Sequence, residues 1–283
     1  MFTDSDVTPL RLEILLDTLR AFRGGLEQRT LSRLLQPEPL TTAGTRVAGA
    51  TFSAAEELGL VEKRSDKVAL AAEARSAEAP AAIRSAFDRV VLTATAVEPH
   101  FALYFSYLLG LGKALYAKRP NKESWVNEYR TKVDNVPNEP FNKTSLSGFD
   151  RWYDYIGLGW YDPADNFQPQ PYDRLERTLP VIFGKTKRLE SDEFMTRLAR
   201  HCPELDGGTL FRQANRGYDG DATRVCTLGL SHALIELDHV GVLRLFRPGD
   251  SSGWSINDAE PQREAHPDRA GSRITTIELL TRA

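Results

Sequence analysis

The stretch that decides the fold is Cys226–Ile256, with the sequence CTLGLSHALIELDHVGVLRLFRPGDSSGWSI. Three leucines at helical spacing predict a helix over 228–240, and Gly241 follows where a helix-ending glycine is expected. The short apolar segments 242–246 and 254–256 flank a Pro-Gly-Asp-Ser sequence that favours a turn. The stretch therefore predicts a helix followed by a β-hairpin.

An earlier stretch, Arg46–Leu70 (RVAGATFSAAEELGLVEKRSDKVAL), repeats this order. A predicted helix over 45–58 ends at Gly59, and a Ser-Asp dipeptide between two short strands suits a tight hairpin turn. Leucine stripes upstream predict helices over 9–20 and 27–35. Three helices followed by a hairpin is the order of a winged helix-turn-helix module.

We predict a mainly α-helical protein with small β-hairpin wings, in which two winged-helix modules flank a helical middle region. The N-terminal winged helix-turn-helix module spans 1–76, the helical, aromatic-rich middle region spans 77–170, and the C-terminal winged-helix module spans 171–283. Within the middle region, 145–157 is expected to form a compact aromatic helix. Segment 273–280 is expected to return as a third strand beside the second wing.

Composition limits the classes of function. Of the 283 residues, 41% are hydrophobic and 27% are charged, as in ordinary globular proteins. The formal net charge is −3, and the three predicted regions each contribute −1. This is not the bulk signature of a sequence-independent nucleic-acid binder, which carries excess lysine and arginine. Any basic surface must therefore be local.

The sequence also predicts the compartment. Two cysteines, Cys202 and Cys226, indicate a reducing environment without a disulfide framework. The first ten residues contain two aspartates and no apolar segment, so no signal peptide is expected. The longest apolar run, 101–112, is too short to span a bilayer. We expect a cytoplasmic protein that does not act on a membrane.

The N-terminal module carries the first candidate nucleic-acid contacts. Arg46 and Ser53 are expected on the outward face of its third helix, and Lys63, Arg64 and Lys67 on its wing. Basic and polar side chains at these places contact phosphates and base edges in groove-binding modules. Two glutamates in the last turn of the helix would repel phosphates, and an ordinary solvated face is the alternative interpretation.

A second candidate nucleic-acid surface is the locally basic stretch 113–132, KALYAKRPNKESWVNEYRTK. Lys118, Arg119 and Lys122 are the candidate phosphate contacts, and the interleaved Tyr and Trp side chains could stack on bases. The alternative is an amphipathic helix whose aromatic residues belong to the core.

The second module has the wrong charges for reading a groove. Glu236, Asp238 and His239 are expected on the outward face of its third helix, together with Ser231. Two acidic side chains there oppose insertion beside phosphates. We therefore interpret Glu236, Asp238, His239 and Arg244 as candidate partner-binding residues, with a scaffold role as the alternative.

No enzyme class is supported by a motif. The sequence contains no GxGxxG or GxxxxGK[ST] phosphate loop and no Ser/His/Asp or Cys/His set with supporting context. A zinc site would have to use ligands at spacings that match no usual two-pair pattern: His201, Cys202, Cys226, His232 and His239. We expect no catalytic residue, no metal and no cofactor.

The segment 141–208 carries a family resemblance. It contains FNKTSLSGFDRWYDYIGLGW and ESDEFMTRLARHCPELDGG, and LSHALIELDHVGVLRL follows. This layout, which covers about half of the chain, resembles DpdG-type proteins. Those proteins accompany helicase and nuclease-like subunits in bacterial clusters for 7-deazaguanine DNA modification and restriction. The resemblance implies an accessory subunit of an anti-phage or DNA-modification system, and no catalytic residues carry over.

We therefore expect a non-catalytic adaptor in a defence complex that bridges double-stranded DNA and a helicase, ATPase or nuclease-type protein partner. The first alternative is a winged-helix transcriptional regulator, which would bind DNA as a sequence-preferring dimer. The second is a self-assembling structural subunit, which would oligomerise with concentration and have no effect on DNA.

Overall fold

The fold is mainly helical with small antiparallel sheets, which confirms the predicted fold class at this level. None of the helices in the described residues has the length and apolar character that crossing a membrane requires. The computed structural model describes residues 6–37, 46–64, 66–93, 95–96, 98–117, 122–133, 141–163, 166–248, 252–256 and 273–280.

The chain folds into two compact units. Unit 1 consists of Met1–Glu98 with Asn142–Tyr155, and unit 2 consists of Pro99–Phe141 with Ile156–Ala283. The predicted middle region contributes residues to both units. The division of the chain into three regions stays a prediction.

Unit 1 contains one antiparallel sheet with the strand order β1-β3-β2. Its strands are β1 (Leu26–Glu27), β2 (Val61–Arg64) and β3 (Lys67–Leu70). Its helices within the described ranges are α1 (Pro9–Ala21), α2 (Gln28–Leu35), α3 (Arg46–Glu57), α4 (Ala72–Arg75), α5 (Ala79–Ala86) and α9 (Lys143–Tyr155). A π-helical turn, Phe87–Val91, continues α5. The predicted β2–β3 hairpin is confirmed, whereas β1 is too short to be visible as a pattern in the sequence.

The core of unit 1 forms where sequence periodicity places apolar side chains. Thr8 caps α1 by accepting a hydrogen bond from the amide of Arg11 at 3.4 Å, and the predicted leucine stripe of α1 is buried. The aromatic face of α9 is also buried, and Trp152 stacks on Phe87 with ring centroids 4.8 Å apart. This confirms the predicted aromatic helix.

Unit 2 surrounds a second three-stranded antiparallel sheet with the order β6-β10-β7. Its helices within the described ranges are α6 (Pro99–Leu111), α7 (Lys113–Ala117), α8 (Lys122–Lys132), α10 (Tyr172–Phe183), α11 (Ser191–His201), α12 (Thr209–Ala214), α13 (Gly220–Thr223) and α14 (Leu228–His239). Its strands are β4 (Gly159–Tyr161), β5 (Phe167–Pro169), β6 (Arg188–Glu190), β7 (Leu243–Phe246), β8 (Trp254–Ser255), β9 (Arg273–Ile274) and β10 (Thr276–Leu279). Pairs β4–β5 and β8–β9 form two small separate ribbons.

The pairing of the strands that follow α14 differs from the prediction. Strand β7 pairs with β10 rather than with β8, and β8 pairs with β9. Segment 273–280 returns beside both predicted wing strands, as β10 beside β7 and as β9 beside β8. The predicted direct pairing of 242–246 with 254–256 is wrong. The position of Ile277 accounts for the pairing of β7 with β10 instead of β8. Ile277 lies between Leu189 of β6 and Leu245 of β7 at the centre of the sheet. A central strand buries more apolar surface than a local hairpin partner would.

The two units share one order of elements: helix, short strand, helix, helix and two strands. In unit 1 the elements are α1, β1, α2, α3, β2 and β3; in unit 2 they are α10, β6, α11, α14, β7 and β10. Helices α3 and α14 also end alike, at Gly59 with φ 67° and at Gly241 with φ 73°. In both cases the amides of the glycine and of the next residue bind carbonyls of the last helical turns. Unit 2 differs by the insertion of α12, α13 and the β8–β9 ribbon.

Two buried polar clusters hold the helices of unit 2. The Arg174 guanidinium donates to Glu204 at 2.9 Å, to the Thr178 hydroxyl at 2.5 Å and to the His201 carbonyl at 3.1 Å. Close by in sequence, the carboxylate of Asp206 accepts hydrogen bonds from the amide and the hydroxyl of Thr227 at 2.6 and 2.8 Å. Thr227 in turn caps α14, so the Asp206 cluster fixes the start of α14.

Candidate functional site

The predicted contacts of unit 1 surround the exposed side of α3. Arg46, in the first turn, is 76% exposed, and its Nε lies 3.3 Å from a carboxylate oxygen of Asp6. Ser53 is exposed further along the helix. The Lys63 Nζ lies 3.0 Å from a carboxylate oxygen of Glu56 and 5.1 Å from the Phe52 ring centroid, so β2 lies beside the last turns of α3. The Lys63–Glu56 pair is exposed on both sides, and ion pairs of this kind contribute about 0–1 kcal/mol.

The β2–β3 hairpin presents basic residues on both of its faces. Lys67 is exposed and lies opposite Arg64 on β2 and opposite Glu27 on β1. Lys63 lies opposite Val68, so strand alternation puts Lys63 and Lys67 on different faces. The backbone of Arg64 is described, but its side chain lies outside the described residues. The structure therefore places Lys63 beside α3, while Lys67 lies on the other face of the β2–β3 hairpin.

Helix α2 adds two basic side chains that the sequence analysis missed. Arg29 and Arg33 are one helical turn apart and exposed, and neither forms an ion pair with another described residue. Their spacing in QRTLSRLL was the available signal. The buried Gln36 at the end of α2 accepts a hydrogen bond from the Ala48 amide at 3.2 Å, in the first turn of α3. This bond connects the end of α2 to the start of α3.

The described aromatic side chains of the 113–132 stretch do not face solvent. Trp125 is 5% exposed and Tyr129 is fully buried, so the prediction that they stack on bases is wrong. Tyr129 packs at 4.9 to 5.9 Å between ring centroids in a cluster of aromatic side chains from α6, α8 and Phe141. Burial raises the pKa of the Tyr129 hydroxyl above its ordinary value. Helical periodicity placed these rings in the core rather than on a surface.

The three basic candidates of that stretch are not tested by the structure. Lys118 and Arg119 lie outside the described residues, and Lys122 is described only as the first backbone position of α8. Lys132, at the other end of α8, pairs with Glu128 at 3.3 Å and lies over the ring of Tyr107. The phosphate-contacting role of Lys118, Arg119 and Lys122 stays a prediction.

Two of the polar residues predicted on the outward face of α14 point inward. The Asp238 carboxylate is buried and accepts a hydrogen bond from the Leu245 amide at 3.1 Å, which ties α14 to β7. Ser231 is fully buried and donates to the Thr227 carbonyl at 2.7 Å. Both predictions were wrong because a polar side chain can be buried when the backbone supplies its partner. Asp238 is therefore a structural residue rather than a candidate partner contact.

The other three partner-binding candidates are at the surface. Glu236 is exposed and accepts a hydrogen bond from the Gln170 side chain at 2.5 Å. His239 is exposed at the end of α14. Arg244 on β7 lies 3.8 Å from the carboxylate of Glu278 on β10 and is 53% exposed. The structure thus leaves Glu236, His239 and Arg244 as a polar surface at the C-terminal end of α14.

Helices α3 and α14 differ in how far they are enclosed. Eight of the twelve residues of α14 are buried, and at Gly229 an added Cβ would collide with the Pro169 carbonyl oxygen of β5 and with the Leu109 side chain of α6. At Gly49 of α3, an added Cβ would have no atom of the described residues within 4 Å. The equivalent helix is therefore open along one side in unit 1, whereas in unit 2 its first turn, Leu228–Ser231, is buried on every side.

This difference predicts opposite effects for one substitution. Gly229→Ala is expected to destabilise the protein by about 1–3 kcal/mol, because overpacking forces the β4–β5 ribbon or α6 to move. Gly49→Ala is expected to stabilise it by about 0.5–1 kcal/mol, because glycine is unfavourable inside a helix and the methyl group has room. Chemical denaturation of both variants measures the two changes. A tolerated alanine at 229 would contradict the enclosure of α14.

The described residues contain no group of three or more His, Cys, Asp or Glu side chains placed to hold a metal ion. Cys202 and Cys226 are both buried free thiols. Burial, and secondly the charge of Asp206, raise the pKa of the Cys226 thiol well above its ordinary value. A protonated, inaccessible thiol is a poor nucleophile.

A family model described as DpdG-like matches residues 2–251 of the chain. The chain belongs to the DpdG-like family. The DpdG-like match includes α3, α14 and both buried polar clusters, and it ends before β8, β9 and β10. No curated protein and no solved structure matches the chain. Membership in the DpdG-like family suggests an accessory protein related to DNA modification.

Proposed function

We propose that this protein is a non-catalytic, DNA-binding adaptor of a cytoplasmic DNA-modification or restriction system that acts against phage. Each unit contains a winged-helix module. Unit 1 contacts double-stranded DNA, and unit 2 carries the surface for a helicase, ATPase or nuclease-type partner. The proposal is supported by family membership, by the order of elements in the two units and by the different exposure of their third helices.

The winged-helix assignment is supported by the repeated element order. A helix-turn-helix pair followed by a hairpin is the arrangement in which a module presents its last helix to a groove and its wing to the backbone. Both units have that order, and in both the strand before the second helix closes the same edge of the sheet.

The proposal that unit 1 binds DNA and unit 2 binds a partner rests on one observation, the burial of the first turn of α14. The major groove is about 12 Å wide and admits a helix only when one side of that helix is bare. The N-terminal residues of a recognition helix contact the base edges. In α14 the first turn, Leu228–Ser231, is buried, and β5 and α6 cover it at Gly229, so this end of the helix cannot reach a groove as it stands. Helix α3 keeps an outer side with Arg46 and Ser53, and Lys63 lies beside it. This supports unit 1 as the DNA-binding module.

The first test measures DNA binding and partner binding on one preparation. Fluorescence anisotropy with labelled duplexes of several sequences is expected to show weak, salt-dependent binding without sequence preference. Affinity purification from the native host is expected to retain a large ATPase or nuclease. Tight binding of one sequence by a dimer would instead support a transcriptional regulator. Concentration-dependent oligomers without any binding to DNA would support a structural subunit.

A second test decides whether the 113–132 stretch belongs to the DNA surface. Combined charge reversal at Lys118, Arg119 and Lys122 is expected to abolish duplex binding or its salt dependence if these side chains contact phosphates. Anisotropy titrations at several salt concentrations measure both quantities. Unchanged affinity and an unchanged salt slope would restrict the DNA surface to unit 1.

A further inference from the structure

Unit 2 contains an open cavity of about 500 Å³, and one side of α11 forms part of its lining. Its lining comes from α11, the turn before α12, α12, the segment before α14 and β8. Three of the lining residues are arginines, Arg200, Arg212 and Arg224. Segments that are distant in sequence therefore bring three guanidinium groups to one concave site.

The acidic residues of the lining are already engaged within the protein. Both carboxylate oxygens of Asp206 accept hydrogen bonds from Thr227. The carboxylate of Asp192 accepts one from the Trp254 indole at 2.9 Å and one from Arg224 at 2.8 Å. The lining carries three arginines against these two aspartates, so it has a net positive charge.

The backbone of Arg224 supports a role for its side chain. Arg224 has φ 54° and ψ 50°, and it is the non-glycine residue with positive φ in the described part of the chain. This conformation costs an L-residue other than glycine roughly 1–2 kcal/mol. The backbone is held by a hydrogen bond from the Ser255 amide to the Arg224 carbonyl at 2.7 Å, and the guanidinium donates to the Ser252 carbonyl at 2.8 Å. Strained positions that keep a functional side chain are found most often at binding sites.

We propose that this cavity binds the phosphate group of a phosphorylated ligand. A carboxylate is satisfied by one bidentate guanidinium, whereas three arginines suit a group with three terminal oxygens. A guanidinium has five N–H donors, so the two bonds of Arg224 leave donors for an oxyanion. The remaining volume, lined by Met195 and the indole of Trp254, accommodates an apolar or planar part of the ligand.

The electrostatics of the neighbouring helix end agree with this assignment. The pKa of His201 is lowered, first by partial burial and then by the positive charges of Arg200, Arg174 and Arg197. Arg200, which contributes to this lowering, also lines the cavity. Two sources of phosphate share this chemistry: a free nucleotide and the phosphorylated end of a DNA strand.

The test is calorimetric titration of the full chain with inorganic phosphate, with AMP and with a 5′-phosphorylated single-stranded oligonucleotide; acetate and the unphosphorylated oligonucleotide serve as controls. Phosphate and at least one phosphorylated ligand are expected to bind, and the controls are not. Tighter binding of AMP than of phosphate would identify a nucleotide as the source. Tighter binding of the phosphorylated oligonucleotide than of AMP would identify a strand end. Binding of acetate as strongly as phosphate, or no binding of phosphate, would overturn the proposal.

Substitutions of the lining arginines test whether the phosphorylated ligand binds in this cavity. The double variant Arg200→Gln/Arg212→Gln is expected to raise the dissociation constant for the phosphorylated ligand at least ten-fold. The matched control, Lys185→Gln/Arg216→Gln, removes the same charge from exposed residues that do not line the cavity and is expected to change it less than two-fold. Arg224→Gly relieves the backbone and removes the third guanidinium, so it is expected to weaken binding in a folded protein. If the control and the cavity variant lose affinity for the phosphorylated ligand equally, the ligand does not bind in this cavity. This outcome is independent of whether unit 1 binds DNA.

Discussion

Replacing Glu204 with alanine is expected to lower the free energy of unfolding by about 3–5 kcal/mol. The side chains of Arg174 and Glu204 are 3% and 0% exposed, so alanine would leave a buried guanidinium without its counter-charge. Arg174 also connects α10 to the end of α11 through the His201 carbonyl. Chemical denaturation followed by circular dichroism measures the loss.

A double substitution separates the charge from the packing. Arg174→Met/Glu204→Met removes both charges together and fills much of the same volume. It is expected to be less destabilising than Glu204→Ala alone, because the penalty arises from a buried charge without a partner. A double variant that loses as much stability as the sum of the two single variants would contradict this account of the pair.

The variant Arg46→Ala/Lys63→Ala/Lys67→Ala is expected to weaken binding to duplex DNA on the order of a hundred-fold at about 0.1 M salt. Each phosphate contact releases about one counterion, so the slope of log affinity against log salt concentration is expected to fall by about 3. The effect is expected to be the same for all sequences, because phosphate contacts carry no base information. Anisotropy titrations across a salt series provide both values.

The matched control for this variant is Lys185→Ala/Lys187→Ala/Arg216→Ala, three exposed basic residues of unit 2. It changes the net charge of the chain by the same amount, so it corrects for the general attraction between protein and DNA. The control is expected to retain its affinity within a few-fold. If both triple variants lose affinity equally, binding depends on net charge and the assignment to unit 1 is wrong.

The helices of both units could be predicted because their signals are local. The leucine stripe of α1, the aromatic face of α9 and the glycines after α3 and α14 each act within a few turns of one helix. The partner of β7 could not be predicted, because the segments 254–256 and 273–280 have equally apolar local patterns. The choice depends on how much surface Ile277 buries between two other strands.

Part of the candidate site could be predicted, because some of its residues are also positioned by local periodicity. The exposure of Arg46, Ser53, Lys63 and Lys67 follows from helix and strand periodicity. The inward position of Asp238 does not, because its partner is a backbone amide of the next strand. The arginines of the unit 2 cavity were also missed, because they come from α11, α12 and a turn, and no sequence spacing connects them.

The sequence by itself determined that Cys226–Ile256 forms a helix, a glycine corner and a strand, and that Arg46–Leu70 repeats this order. Those features depend on side-chain periodicity and backbone preferences within a few residues. Only the tertiary structure decided that α3 keeps an open side while the first turn of α14 is covered, because β5 and α6 come from elsewhere in the chain to cover Gly229. Periodicity within a helix indicates its apolar face, but it does not indicate which elements from elsewhere in the chain cover the rest of the helix.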